Sequence, residues 1–232
     1  TIYLNNENYT EYYLKQTQTG GKGNEKWEGF LFVSLRGGQQ NTVESHKKDE
    51  EITLFNPAVE YLNEDVSLDL DLSMSYFAMH SIDIEMLTEQ QQDDYRIIFE
   101  NLKRHLREAV YDSEHYRGNL LDYCNNHPSL MIGRRIGDNK LYDPIQVERI
   151  NIMDFSVKDK GDRRNLELTH DISVNNNSFV WDNHKQCILP PSRPTNVFWS
   201  RQLSNMMQQD FTLNDFFEYQ EEIIERRRIL LR

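Results

Sequence analysis

Two cysteines each have a histidine three positions away, and residues of these types at this spacing could hold a metal ion. Cys124 precedes His127, and His184 precedes Cys187. Two thiolates and two imidazoles form a complete tetrahedral ligand set for structural zinc, and a two-residue gap lets each pair chelate one ion. The reversed order of the second pair and the long separation between the pairs weaken the pattern. We therefore favour two unrelated buried cysteines near turn histidines, with zinc as the alternative.

A second group of residues, Asp143, Glu148 and Lys158, indicates phosphodiester chemistry. Metal-dependent nucleases and phosphodiesterases activate water on a divalent cation that is held by carboxylates, and a lysine lies nearby. Asp143 and Glu148 lie on one predicted strand, but their odd separation directs them to opposite faces unless a bulge intervenes. We therefore expect solvated charges at these positions, and a nuclease or phosphodiesterase is the alternative.

The sequence lacks the motifs of several common enzyme classes. It contains no G-x-x-x-x-G-K-[S/T], no G-x-G-x-x-G, no G-x-S-x-G and no H-E-x-x-H. These absences disfavour nucleotide hydrolysis, dinucleotide redox chemistry and the common serine hydrolase arrangement. His170 lies on the apolar face of a predicted strand, so we expect a hydrogen-bonded core histidine there rather than a general base. Apart from the zinc alternative, we expect no cofactor.

The composition is that of an ordinary globular protein. Of 232 residues, 38% are hydrophobic and 28% are charged, and this balance excludes disordered and fibrous classes. No apolar run approaches eighteen residues, so we expect no membrane span. The first residues lack the layout of a signal peptide, and two cysteines do not make a disulfide framework. These features together predict a cytoplasmic protein.

The net charge of −12 is unevenly distributed along the chain. Residues 1–112 carry −11, whereas residues 113–232 carry only −1. The first half would repel phosphate backbones, so a protein that coats nucleic acid without specificity is disfavoured. The second half contains basic pairs, for example Arg134 with Arg135 and Arg163 with Arg164. Contact with RNA or DNA through this half is therefore a further alternative.

The clearest structural prediction is a long amphipathic helix over about residues 88–111. Thr88 followed by Gln91 is a capping-box start, and Leu102 and Leu106 are predicted core anchors. Charged residues separate the apolar ones and suit a solvated face. The apolar residues recur at helical spacing: Tyr95, Ile98, Phe99, Leu102, Leu106 and Val110.

The remaining segments favour strands joined in hairpins, with one further helix. A helix is predicted over 113–126, ending before Pro128. One predicted hairpin turns at 137–140 and places Arg134 opposite Asp143 as a cross-strand charge pair. Residues 75–86 suit a helix as an alternative. The segments that alternate polar with apolar residues, or that are continuously apolar, are 29–35, 68–72, 130–136, 141–152, 166–174, 178–182 and 185–189.

A helix that begins at Thr212 is the candidate site for binding a partner. Phe217, Ile224 and Leu231 recur every seven residues, and Phe216 adjoins them. Aromatic residues are enriched at protein interfaces. Four glutamates precede a run of arginines, an order that matches the helix dipole. We expect this helix to bind another protein chain or a second copy of itself.

These observations predict an α+β protein with a mainly antiparallel sheet, built from hairpins and packed against the long helix and the carboxy-terminal helix. Residues 1–209 are predicted to form a single domain, with a subdivision near residue 112 as an alternative, and residues 210–232 a helix for docking or oligomerisation. The favoured function is a non-enzymatic subunit or adaptor of an intracellular multi-protein assembly.

Overall fold

The computed structural model describes residues 32–34, 60–62, 64–159, 161–173 and 179–231. Within these residues the protein has the predicted α+β fold, and every pair of strands is antiparallel. The strands form four separate two-stranded sheets rather than one continuous sheet.

Helices account for most of the described chain. Each described helix is too short or too polar to cross a lipid bilayer. Two short 3₁₀ helices, Ile84–Met86 and Ile152–Ser156, lie in the connections. The α-helices of the described residues are α1 (Glu64–Met79), α2 (Glu89–Glu108), α3 (Leu120–Asn126), α4 (Pro128–Ile136), α5 (Gln202–Gln208) and α6 (Leu213–Leu230).

The strands are short, mostly three residues long. Those that the structure describes are β1 (Phe32–Ser34), β2 (Glu60–Leu62), β3 (Val110–Asp112), β4 (Arg117–Asn119), β5 (Leu166–His170), β6 (Val180–Asp182), β7 (Cys187–Leu189) and β8 (Val197–Arg201). The pairs are β1 with β2, β3 with β4, β5 with β8 and β6 with β7. The rest of the predicted strand 29–35, and Val174, lie outside the described residues.

The long helix α2 confirms the predicted helix and its capping box, but it ends at Glu108, so Val110, predicted on its apolar stripe, lies in β3 instead. The Thr88 hydroxyl accepts a hydrogen bond from Gln91 N, and Thr88 N donates to Gln91 Oε1. Leu102 and Leu106 are buried as expected. Ile98, which was predicted on the same stripe, is 52% exposed. Fewer residues of the apolar stripe are therefore buried near the start of the helix than near its end.

The predicted strand 68–72 is wrong, because this segment lies within α1. The alternation of Leu with Asp imitates a strand with one buried face. In the structure Val66, Asp69, Ser73 and Phe77 are buried instead, and their spacing is that of a helix. Two of these four residues are polar, so a pattern of apolar residues does not reveal the buried face.

Asp69 is buried because two other elements neutralise and solvate its carboxylate. Its Oδ2 accepts a hydrogen bond of 2.6 Å from the Tyr111 hydroxyl on β3. The same oxygen lies 2.8 Å from Lys185 Nζ, in the turn between β6 and β7. The Lys185 ammonium also lies over the Tyr111 ring, 5.0 Å from its centroid. This cluster joins the first helix to two hairpins that are distant in sequence.

The predicted helix 113–126 is correct only in its second half. Residues 110–119 form the β3–β4 hairpin, and α3 begins at Leu120. The Asn119 side chain accepts from Asp122 N and caps α3. Gly118 has a φ of 144° in β4, a conformation that residues with a Cβ rarely adopt. A continuous helix cannot pass through this position at that φ.

The predicted hairpin 130–152 is also wrong. Pro128 begins α4, where its fixed φ suits the first helical position. Gly137 ends the helix in the left-handed conformation. Arg134 contacts Asn125 rather than Asp143. Of the second predicted strand, 141–152, one isolated bridge between Tyr142 and Arg149 is formed.

The last predicted hairpin is confirmed by β6 and β7. Asp182 pairs with Cys187 across a four-residue turn. Asp182 is fully buried, and its Oδ1 accepts from the backbone nitrogens of His184 and Lys185. The predicted strand 185–189 begins only at Cys187, because Lys185 and Gln186 lie in the turn that Asp182 holds.

Leu106→Ala should lower the free energy of unfolding by about 2–5 kcal/mol, because Leu106 is fully buried in the core. Ile98→Ala, in the same helix at an exposed position, should change it by less than about 0.5 kcal/mol. Urea denaturation of the two variants measures both values. Equal losses would contradict the assignment of the buried face of α2.

Gly133→Ala should destabilise the chain more than Gly137→Ala does. A Cβ on Gly133 would meet the Lys140 carbonyl oxygen at 2.2 Å and the Lys140 nitrogen at 2.7 Å, so backbone must move at a cost of about 1–3 kcal/mol or more. A Cβ on Gly137 meets no atom within 4 Å, and only its positive φ is unfavourable, which costs about 1–2 kcal/mol. Thermal and urea unfolding of both variants check the order.

Candidate functional site: the exposed face of α6

Within the described residues, only the start of α6 is packed against other elements. Leu213 and Phe216 are buried with Ile145 and Phe198 in a small apolar cluster, and Phe217 packs against its edge. All 18 residues of α6 are described, and beyond Phe216 none is buried. The helix therefore has a fixed first turn and a long exposed remainder.

The exposed remainder carries four large apolar side chains on one side, and Ile229, 68% exposed, on the other. Ile224 is 49% exposed, Leu230 77% and Leu231 74%. With Ile223 they lie within an arc of about 120° when the helix advances 100° per residue. We call these four residues, Ile223, Ile224, Leu230 and Leu231, the free face of α6. Of the predicted partner-binding residues, Ile224 and Leu231 belong to it, whereas Phe216 belongs to the core and Phe217 lies between the two.

The charges along α6 are ordered, acidic first and basic afterwards. Glu218, Glu221, Glu222 and Glu225 occupy the middle turns, and Arg226, Arg227 and Arg228 follow. Arg226 pairs with Glu222 at 3.1 Å, and Arg228 with Glu225 at 3.6 Å. Exposed pairs of this kind contribute only about 0.3–0.5 kcal/mol each. The order of the charges is therefore more informative than the pairs that they make within the helix.

The first turn of α6 is held by polar contacts as well as by apolar packing. Thr212 accepts a hydrogen bond from Asp215 N, which confirms the predicted cap. Asp171, just after β5, accepts a bond of 2.7 Å from Leu213 N. Gln208 is buried, and its amide donates to the carbonyls of His170, Asp171 and Phe211. These contacts fix the direction in which α6 leaves the core.

Asp171 itself is held by the loop between β7 and β8. Asp171 N donates to Asn196 O at 2.8 Å. The Asn196 amide donates to the carbonyls of Pro191 and Ile172. Burial raises the pKa of the Asp171 carboxyl above its usual value. The role of Asp171 was not predicted from the sequence, since Leu213, which it contacts, is 42 positions away and no local pattern marks Asp171.

A histidine at the end of β5 contacts a serine of the same loop. His170 Nε2 lies 3.1 Å from Ser192 Oγ, so the predicted hydrogen-bonded histidine is confirmed. Burial, and then the nearby charge of Arg193, lower the pKa of His170 to about 4. The Arg193 guanidinium is fully buried and donates to Pro190 O. A neutral imidazole beside a hydroxyl can serve as the base that activates the hydroxyl as a nucleophile. Here the hydrogen bond between His170 and Ser192 ties the end of β5 to this loop, and we interpret it as a contact that helps to hold Asp171.

The Asp143 carboxylate is used inside the fold. It is fully buried. Its Oδ1 accepts from Ile145 N, Gln146 N and the Ser204 hydroxyl, at 2.8–2.9 Å. Its Oδ2 accepts a bond of 2.6 Å from Arg201 N. Four donors from the chain itself surround the two oxygens, so this carboxylate fixes the junction between β8 and α5.

The other two residues of the nuclease hypothesis are exposed, whereas the Asp143 side chain is buried. Asp143 N donates to the Glu148 carbonyl, but the Glu148 side chain is exposed, and so is that of Lys158. The arrangement gives the nuclease hypothesis no support beyond the sequence pattern. The basic pairs are similarly exposed on the surface, and Arg164 pairs with Asp162 at 2.7 Å.

The four zinc candidates are not brought together. Within the described residues, no three His, Cys, Asp or Glu side chains are placed to hold one metal ion. Cys124 is fully buried, and burial raises the pKa of its thiol to about 12. His127 caps α4 and packs against the Phe198 ring, whereas His184 is exposed in a turn. Cys187 is buried on β7. Both cysteines are free, as expected for two unrelated buried thiols.

Comparison with known protein families, with curated proteins and with solved structures finds no match for this chain.

The free energy of unfolding should fall as the pH is lowered from 7 to 5, partly through two buried histidines. Burial lowers the pKa of His127 to about 3 and that of His170 to about 4, whereas an unfolded histidine has about 6.5. The unfolded chain therefore binds more protons over this range, and stability is lost as the pH drops below about 6.5. Each histidine should contribute roughly 1–2 kcal/mol to the loss.

Urea unfolding at pH 7 and pH 5 measures this difference. His127→Asn keeps a side chain suited to the cap of α4 and should reduce the loss between the two pH values. His105→Asn, at an exposed position of α2, is the matched control and should leave the loss unchanged. Identical losses for the wild type and both variants would contradict the role of His127.

Proposed function

We propose that this chain is a non-enzymatic subunit or adaptor of a multi-protein assembly, and that the free face of α6 binds another protein chain. The observation that carries the proposal is the distribution of burial along α6. Two residues in its first turn are buried, whereas Ile224 exposes 49% of its surface and Leu230 and Leu231 about three quarters.

The length of the exposed part supports a binding role. Residues 217–230 form about four turns of helix beyond the packed end. Isolated helices of this length are marginal in water, because most helical stability in proteins comes from packing of an apolar face. A partner that covers the free face would supply this packing. The exposed leucines and isoleucines then have a physical role.

The chemistry of the free face defines the partner. An amphipathic helix with an apolar stripe of its own would bury Ile224, Leu230 and Leu231, as in other helix-to-helix associations. The acidic middle turns of α6 favour a partner that is basic at the same level, and the basic last turns favour one that is acidic there. The occupant that we propose is thus an amphipathic helix with the opposite order of charge.

The firmness of the first turn also supports the proposal. Asp171, Thr212 and buried Gln208 hold the start of α6 through hydrogen bonds. A helix that leaves a rigid base in a fixed direction loses less entropy on binding than a mobile segment does. The engagement of Asp143 inside the fold favours a non-enzymatic role, and two free, buried cysteines suit the reducing cytoplasm.

Site-specific photo-crosslinking in cells that produce the full chain tests this proposal. Benzoylphenylalanine in place of Ile224 should yield a covalent adduct with another protein chain on irradiation. The same group in place of Glu222, which is exposed on the opposite side of the helix, is the matched control and should yield far less. Leu230→Glu, added to the first variant, should remove the adduct by placing a charge on the free face.

An adduct with a different protein or with a second copy of the chain supports the proposal, provided that it depends on position 224 and on Leu230. Equal adducts from positions 224 and 222 would overturn it, and so would the lack of any adduct from position 224.

A further inference from the structure

We propose that the partner of α6 is the α6 helix of a second copy of this chain, and that the two helices pair antiparallel about Ile224. This inference rests on the proposed function, since it names the occupant of the same free face. The charge order, the spacing of apolar residues and the position of the packed end of α6 carry it independently of one another.

The charge order makes α6 complementary to itself in one direction only. Glu221 and Glu222 precede Ile224, and Arg226 and Arg227 follow it at the same distances. In an antiparallel pair centred on Ile224, Glu221 of one copy lies within one residue of the level of Arg228 of the other, and both flank the apolar seam on the same side. In a parallel pair every acidic turn would face an acidic turn, and every basic turn a basic one. Like charges at facing positions disfavour that arrangement.

The apolar residues fit the same centre. Phe217, Ile224 and Leu231 are spaced by seven residues, the repeat that keeps a seam between two helices aligned. An antiparallel pair places Ile224 against Ile224, and Leu231 of each copy against Phe217 of the other. Phe217 is partly buried at the edge of the core cluster. The seam is therefore continuous with the packed end of each helix.

Two polar residues of the seam also match in this register. Gln220 and Arg227 lie between the apolar positions, one turn on either side of Ile224. The antiparallel pair brings Gln220 of one copy within one residue of the level of Arg227 of the other, which lets the Gln amide oxygen accept from the guanidinium. Polar residues at a seam specify register and orientation at some cost in stability. A wholly apolar partner would leave both of them unpaired.

The position of the packed end gives a steric reason for the same direction. Within the described residues, α6 contacts the folded body near its start, through Leu213, Phe216 and Phe217 and through Tyr219, which stacks on Phe211. The helix is about 27 Å long at 1.5 Å per residue. In an antiparallel pair the two bodies therefore lie at opposite ends of the helix pair, whereas in a parallel pair both would lie at the same end. Either direction gives a closed two-fold dimer, but only the antiparallel one keeps the two bodies apart.

Oxidative crosslinking of the full chain tests both the partner and the direction. Ile224→Cys places a thiol at the two-fold axis, so the antiparallel pair should form an intermolecular disulfide with itself. Leu231→Cys should not crosslink with itself, because the two positions lie about 21 Å apart along an antiparallel pair and a disulfide needs Cα atoms within about 7 Å. Cys124 and Cys187 are buried and remain in place in both variants.

A charge exchange gives a second readout under reducing conditions. Glu221→Arg and Arg228→Glu, each alone, should weaken self-association by about fivefold or more in sedimentation equilibrium at low salt, since each creates two like-charge contacts. A one-to-one mixture of the two variants should restore association to within about twofold of the wild type. Glu218→Arg, on the outer side of the helix, is the matched control and should have little effect.

The outcomes separate this inference from the proposed function. Crosslinking of both the Ile224→Cys and the Leu231→Cys chain would overturn the antiparallel direction. A chain that stays monomeric to about 200 µM, with no disulfide from Ile224→Cys, would overturn the second copy as partner. If position 224 then still photo-crosslinks to a different protein, the proposed function stands. If it yields no adduct, both proposals fail.

Discussion

The buried carboxylate of Asp69 is the contact on which the rest of the described fold most depends. It accepts from the Tyr111 hydroxyl at 2.6 Å and pairs with Lys185 at 2.8 Å. The three residues come from the first long helix, the strand that follows the second, and a hairpin turn more than a hundred positions later. Loss of the Lys185 ammonium would leave the Asp69 carboxylate buried without an opposite charge, which typically costs about 3–5 kcal/mol. The cluster therefore specifies which elements meet as well as stabilising them.

Short strands explain why so many carboxylates are buried in this way. Strands of three residues supply few ladder hydrogen bonds, and the connections between them leave backbone N–H groups to be satisfied. Asp143, Asp171 and Asp182 each accept from backbone nitrogens at such connections. Asp154 pairs with the buried Arg201, whose guanidinium also donates to the carbonyls of two loops. Buried side chains thus supply the hydrogen-bond partners that the ladders of longer sheets would provide.

Polar side-chain contacts also hold the start of the exposed helix, α6. The polar contacts around Asp171 and Gln208 hold its first turn, and the apolar cluster of Phe198 and Leu213 lies beneath it. After Phe216 the helix leaves this support while it continues to carry apolar side chains on one side. Large exposed apolar surfaces mark interaction sites in soluble chains. An association surface on a rigid base is the arrangement that these facts favour.

Local patterns determined the elements whose signals are complete within a few residues. The capping box at Thr88, the start of a helix at Thr212, the apolar stripe that buries Leu102 and Leu106, and the existence of the β6–β7 hairpin were all predicted, because each depends on neighbours within one or two turns. The seven-residue spacing of Ile224 and Leu231 was equally visible in the sequence. Their exposure was not, since it depends on what else packs beside α6.

Tertiary contacts decided the segments whose buried residues are polar. Asp69 is buried in α1 because Tyr111 and Lys185 satisfy its carboxylate from distant elements, and the alternation of Leu68 with its neighbours suggested a strand. Asp143 had the composition of a catalytic acid, yet its four donors include Arg201 and Ser204, from elements some sixty positions away. A buried polar group is stable only when it has partners. For Asp69 and Asp143 these partners come from separate parts of the chain, and a linear pattern does not record that convergence.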